Sequence, residues 1–237
     1  QDPSTIAAFI MEPIQGAGGV IVPDASFMKL ARDICDKHGI LMISDEVITG
    51  FGRTGDWSGA RHWGVQPDMM TLAKGITSAY FPVGATLVSA KVAETFESDQ
   101  SGEGSIWHGY TYSAHPVGMA AVNACVSEAL RLNLKSNAAA RGTQLYEGLK
   151  ALQADFDIIG DVRGGHGLMA AIELVSDRDT KTPLEMGAIK RAHKATYEAG
   201  TMVRIGGNNL LMSPPLILTE VDVTKILADL RSGLSAL

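Results

Sequence analysis

Three short apolar runs, each ending in an ionisable residue, constrain this chain more than any other feature. "AAFIM" runs into Glu12, "ILMIS" into Asp45 and "MMTLA" into Lys74. Continuous apolar runs of this length read as strands covered on both faces, the pattern of a parallel sheet. Parallel strands need long crossover connections, and the intervening stretches are long enough. The first crossover contains "FMKLARDICDKHG", apolar at helical spacing, with a start expected at Pro23 and Asp24 and a stop at Gly39. "GATLVSA" is expected as a fourth strand and "KVAETFES" as the helix after it.

The second half has a different grammar. "HPVGMAAVNACVSEALRL" reads as a long alanine-rich linking helix, and "AAARGTQLYEGLKALQADF" as an amphipathic one. "HGLMAAIELVS", "MVRIG" and "NLLMSP" read as strands. "LEMGAIKRAHKATYEAG" and the terminal "TEVDVTKILADLRSGLSAL" read as helices, the last capped by Thr219 with acids in its first turn. The expected fold is α/β: a mainly parallel sheet with helices on both faces over residues 1–136, then a smaller α+β domain over 137–237. The chain opens directly on a strand, and a sheet buried on both faces needs more strands than this half holds. An N-terminal portion is therefore expected to be absent from the sequence.

Composition narrows the function classes. Of 237 residues, 46% are hydrophobic and 19% charged, an ordinary globular balance. The net charge of −6 without a basic run argues against a nucleic-acid binder. No run approaches the roughly 18 apolar residues of a membrane span. Cys35 and Cys125 fall in helical patterns and read as reduced core thiols of a cytoplasmic protein. No metal site is expected.

In open α/β sheets, ligands bind beyond the carboxyl ends of the strands. Taken singly, Glu12 could be a turn residue, Asp45 a helix cap and Lys74 a solvated lysine. Together they place two acids and an amine on one edge. A lysine at a buried strand end loses charge by desolvation and can form a Schiff base with an aldehyde. Pyridoxal 5'-phosphate is such an aldehyde, and it needs an acid opposite its ring nitrogen, a role that suits Asp45.

"EPIQGAGG", "SDEVITGFGRTG", "PDMMTLAKGITSAYFPVGA", "HGYTYSAHPV" and "SPPLILT" occur in this order. Together they resemble the class III, fold-type I, pyridoxal-phosphate-dependent aminotransferases, the ω-transaminases, over essentially the whole chain. The resemblance implies that Lys74 is the Schiff-base lysine and proton shuttle, and Asp45 the pyridinium partner. It implies that Val47 packs on the ring, and that Thr111 with the backbone of Tyr110 reaches a cofactor phosphate in the neighbouring subunit. Arg204 resembles the arginine that binds a substrate carboxylate, and Glu12 the glutamate that pairs with it when no carboxylate is present. His108 and His115 flank the phosphate segment and receive no catalytic role. The expected partners are small-molecule amines and keto acids, in a homodimer or tetramer with shared sites.

Two departures carry information. Ile48 stands where the ornithine and γ-aminobutyrate branches commonly carry a glutamine on the cofactor's phenolic oxygen. This resembles the amine:pyruvate branch and points to pyruvate as acceptor rather than 2-oxoglutarate. The family's chain is also longer at its N-terminus, where it supplies the phosphate-cradling turn and an aromatic stacked on the ring. Nothing here resembles either, so another segment or chain is expected to supply them, and this polypeptide alone is expected to bind the cofactor poorly. Two further readings remain: a relative that decarboxylates or moves an amino group within one molecule, and a non-catalytic interaction subunit.

Overall fold

The computed structural model describes residues 2–237 and divides into two compact units. The first takes the described residues through Pro13, then Pro23–Phe51 and Ser58–Leu132. The second takes Ile14–Val22, Gly52–Trp57 and Asn133–Leu237.

The first unit holds β1 (Ala8–Met11), α1 (Phe27–His38), β2 (Leu41–Asp45), the short α2 (Gly59–His62), β3 (Met69–Leu72), β4 (Ala85–Val88), α3 (Ala90–Glu97) and α4 (Pro116–Arg131). Its sheet runs β1-β2-β3-β4. The first three strands are parallel, as the apolar runs predict, and β4 adds antiparallel to β3. Met28 and Cys35 of α1 pack with Met42 of β2, Ala60 and Val65 to form the core.

The helix α1 begins later than expected. The Asp24 carboxylate accepts the Ser26 N–H and hydroxyl, at 2.9 and 2.6 Å, so Pro23 and Asp24 form a turn ahead of the helix. Gly39 ends it as expected, at φ 67°, where its N–H reaches the carbonyls of Cys35 and Asp36. Asp68 ties helix to sheet by accepting the Met42 N–H at 2.8 Å and the Arg32 guanidinium at 2.7 Å. Burial pushes its carboxyl up, but the Met42 amide and Arg32 outweigh that and hold it below the ordinary value.

The second unit holds α5 (Leu134–Asp155), β5 (Ile159–Arg163), β6 (Ala170–Asp177), β7 (Thr182–Pro183), α6 (Met186–Ala199), β8 (Arg204–Gly206), β9 (Asn209–Met212) and α7 (Glu220–Leu234). Its antiparallel sheet runs β5-β6-β9-β8, with β7 on β6. Leu145, Leu149, Ile159, Ile172, Leu174, Ile189, Leu210 and Leu230 interlock as one core. Helix α5 approaches the turn before β6 so closely that a Cβ on Gly142 would lie 2.0 Å from the Gly167 carbonyl oxygen. Thr219 caps α7 as expected, in a reciprocal box with Asp222.

Strand β5 is not visible as an apolar run. Gly160 and two charged residues interrupt it, and its pairing with β6 shifts register between Ile159 and Asp161.

Candidate active site

The site residues of the first unit follow from strand register. Met11 pairs with Ser44, and Asp45 pairs with Thr71. Glu12, Asp45 and Lys74 therefore leave the carboxyl edge of three neighbouring parallel strands. The Glu46 N–H donates to the Thr71 carbonyl at 2.9 Å and extends the β2–β3 ladder one residue past Asp45. This backbone bond sets the separation of the acid strand from the lysine strand.

Asp45 is half-buried, and its Oδ1 accepts the Val47 N–H at 3.0 Å. Thr71, its register partner, leaves the sheet on the same face. The Thr71 hydroxyl is buried and has no hydrogen-bond partner among the described residues. Val47 and Ile48 are half-buried in the turn that follows.

Lys74 opens a 3-10 turn, Lys74–Ile76, in the left-handed region at φ 46°. Ser78 and Ala79 are also left-handed, at φ 50° and 65°. Each such residue costs about 1–2 kcal/mol, so neighbouring contacts must hold the turn. The Thr77 hydroxyl donates to the Phe81 carbonyl at 2.6 Å, and the Cys125 thiol donates to the Thr77 carbonyl at 3.1 Å. A Cβ on Gly75 would sit 3.1 Å from the Cβ of Phe51, so the turn is tightly seated. Lys74 itself is exposed. A lysine desolvated at a buried strand end is expected from the apolar run before it, and the described residues do not supply that burial.

Glu46 is the buried acid of the pair. It is fully enclosed, and each carboxylate oxygen accepts two hydrogen bonds. The donors are two hydroxyls and two backbone amides: Ser44, Thr49, Gly59 and Ala60. Arg53, a residue of the second unit, donates within that unit to the Leu168 and Pro214 carbonyls, and burial pushes its guanidinium down to about 10.

Glu12 is half-buried just beyond β1, and the following Pro13 carbonyl accepts the Trp63 indole N–H at 3.1 Å. Tyr110 and Thr111 are exposed on the segment that leads into α4. The His108 ring meets Tyr110 edge-on at 4.8 Å, and the His115 ring stacks on Phe81 at 5.4 Å. Arg204 belongs to the second unit, where it is the exposed first residue of β8, paired with Leu211. Sequence reasoning missed the Thr71 hydroxyl and the Thr77–Cys125 support. Both depend on neighbours far away in sequence.

The sequence and the fold that carry this edge are similar to those of known proteins. The Aminotransferase class-III family matches residues 1–234, and the chain belongs to that family. An uncharacterized aminotransferase of Sinorhizobium fredii is 42% identical over 95% of this chain and 49% of its own length. The taurine–pyruvate aminotransferase of Bilophila wadsworthia is 39% identical over 96% of this chain and 52% of its own. The crystal structure of an amine transaminase from an uncultivated Pseudomonas species, in a PLP-bound form, superimposes with a TM-score of 0.96. It is 46% identical, over 99% of this chain and 53% of that one. The chain spans about half the length of these relatives.

The family's cofactor is pyridoxal phosphate. A primary amine, a half-buried carboxylate and an unpartnered hydroxyl at one sheet edge form a donor set that fits its carbonyl and ring nitrogen. No helix among the described residues is long and apolar enough to cross a membrane.

Proposed function

We propose that this chain carries the chemical centre of a transaminase that moves an amino group from an amine or ω-amino acid to a keto acid, with pyruvate as acceptor. The observation that carries the proposal is the register of β2 and β3, which delivers Asp45 and the Lys74 turn to one carboxyl edge. When bound, pyridoxal phosphate supplies a carbonyl for amines to condense with and an electron-accepting ring.

The protein's own groups do the rest. Lys74 is the residue that would hold the cofactor's carbonyl carbon, and its amine would carry a proton to and from the substrate carbon. Asp45 would hold a proton on the ring nitrogen through a charge-assisted hydrogen bond, about twice as strong as a neutral one. Val47 and Ile48 lie on the turn after Asp45 and are proposed to line the ring. Arg204 offers a guanidinium fork matched to a keto acid's carboxylate. The exposed Tyr110 and Thr111 are proposed to serve a second copy of the chain in a dimer or tetramer. The phosphate cradle is proposed to come from outside these 237 residues.

Pyruvate rests on Ile48, and the Bilophila relative is itself named for pyruvate. The test is amino transfer by the full-length enzyme, with pyruvate and 2-oxoglutarate as competing acceptors. Pyruvate is expected to be preferred. Lys74→Ala is expected to lower turnover by at least about a thousandfold while the fold persists. Transfer at the parent rate in that variant overturns the assignment.

A further inference from the structure

We propose that Glu46 is a positioning residue for Asp45, and that its buried carboxylate fixes where the acid at the strand end stands. This rests on the reading of Asp45 given above.

The two acids are neighbours with opposite environments. Asp45 is half-buried, with one oxygen on the Val47 amide. Glu46 is fully enclosed, and its four acceptor bonds span 2.5–2.8 Å. Oε1 takes the Ser44 hydroxyl and the Ala60 amide, while Oε2 takes the Thr49 hydroxyl and the Gly59 amide. One side chain thus joins the residue before Asp45, the turn after it, and the first amides of α2.

The backbone of Glu46 is held as well. Its N–H donates to the Thr71 carbonyl at 2.9 Å, and its carbonyl accepts the Gly50 N–H at 3.0 Å. The surroundings leave no slack. A Cβ on Gly59 would lie 2.6 Å from that of Pro13, and one on Gly50 would lie 2.9 Å from the Glu46 carbonyl oxygen.

A buried acceptor that satisfies four donors does not move without stranding them, and each stranded donor costs about 1–3 kcal/mol. Asp45 is therefore pinned on its C-terminal side by Glu46 and on its N-terminal side by Ser44, which Glu46 also holds. Glutamine at 46 keeps the volume but turns an NH2 toward two of the four donors.

The test uses the complete protein and two variants, Glu46→Gln and the milder Thr49→Val. The first readout needs no cofactor: hydrogen exchange of the Val47 amide, the group that Asp45 accepts. Glu46→Gln is expected to speed it at least about tenfold, and Thr49→Val less but in the same direction. The second readout is the pH midpoint of the visible absorption of lysine-bound cofactor. It is expected to move in both variants by about half a unit or more for Glu46→Gln, together with a fall in kcat of about tenfold while KM for the amine stays within about twofold.

A lowered melting temperature with parent exchange at Val47 and a parent pH midpoint would reduce Glu46 to a structural acid and overturn the proposal. If Glu46→Gln does not fold, Thr49→Val decides by the same two readouts. If the parent protein shows no lysine-bound absorption, the transaminase reading fails. The exchange rate then still judges whether Glu46 holds Asp45.

Discussion

The two units bury their sheets to different degrees. In the second, all of β9 and most of β6 are buried, and the helices and strands close over one continuous core. In the first, three of the four β1 residues are exposed, with Phe9 at 41% and Ile10 at 58%, and Leu87 and Val88 of β4 are open as well. The second unit's own side chains cover its sheet. The first unit leaves apolar strand surface bare at both edges, and it is the unit whose strand ends carry Asp45 and Lys74. The side chains assigned to chemistry thus stand on the sheet this chain covers least.

The sharpest way to break that comparison is a pair of matched truncations. Ile172→Ala removes a fully buried side chain from the second unit's core and is expected to cost about 3–4 kcal/mol. Ile10→Ala, on the open face of β1, is expected to cost less than about 1 kcal/mol in this chain. Chemical denaturation of both variants measures the two. Equal costs would mean that β1 is covered.

A smaller effect separates the units by pH. Asp68→Asn is expected to cost the first unit about 2–3 kcal/mol at neutral pH, because Arg32 and the Met42 amide lose an anionic partner. The folded carboxyl sits below its unfolded value, so this stability is complete above the unfolded value near 3.8 and is lost as pH falls through the folded one. Melting curves from neutral pH into acid should therefore converge for parent and variant. A constant gap would remove Asp68 from the account.

The smallest expected effect lies in the second unit. Thr219→Ala removes the reciprocal cap of α7 and is expected to lower stability by about 1 kcal/mol, with amino transfer unchanged. Thermal melting together with the transfer assay measures this. A loss of activity would show that the cap reaches further than the helix end.

Much of the fold was legible in the sequence because it rests on local pattern. Short apolar runs that end in polar residues mark strands whether or not this chain covers them, so β1, β2 and β3 announce themselves, and Gly39 and Thr219 mark helix ends by their own chemistry. The start of α1 was misplaced by three residues because Asp24 spends its carboxylate on Ser26 ahead of the helix. Strand β5 stayed hidden because its partner, and not its own composition, makes it a strand.

The candidate site divides along the same line. Asp45 and Lys74 were visible as polar ends of apolar runs. The exposure of Lys74, its left-handed turn and the partners of Glu46 were not. Sequence determined which residues stand at strand ends, because alternation and apolar run length are properties of adjacent residues. Tertiary structure alone decided which of two neighbouring acids is enclosed and which is presented. That choice depends on amides 13 and 14 positions away, which reach Glu46 only after the chain has folded back on itself.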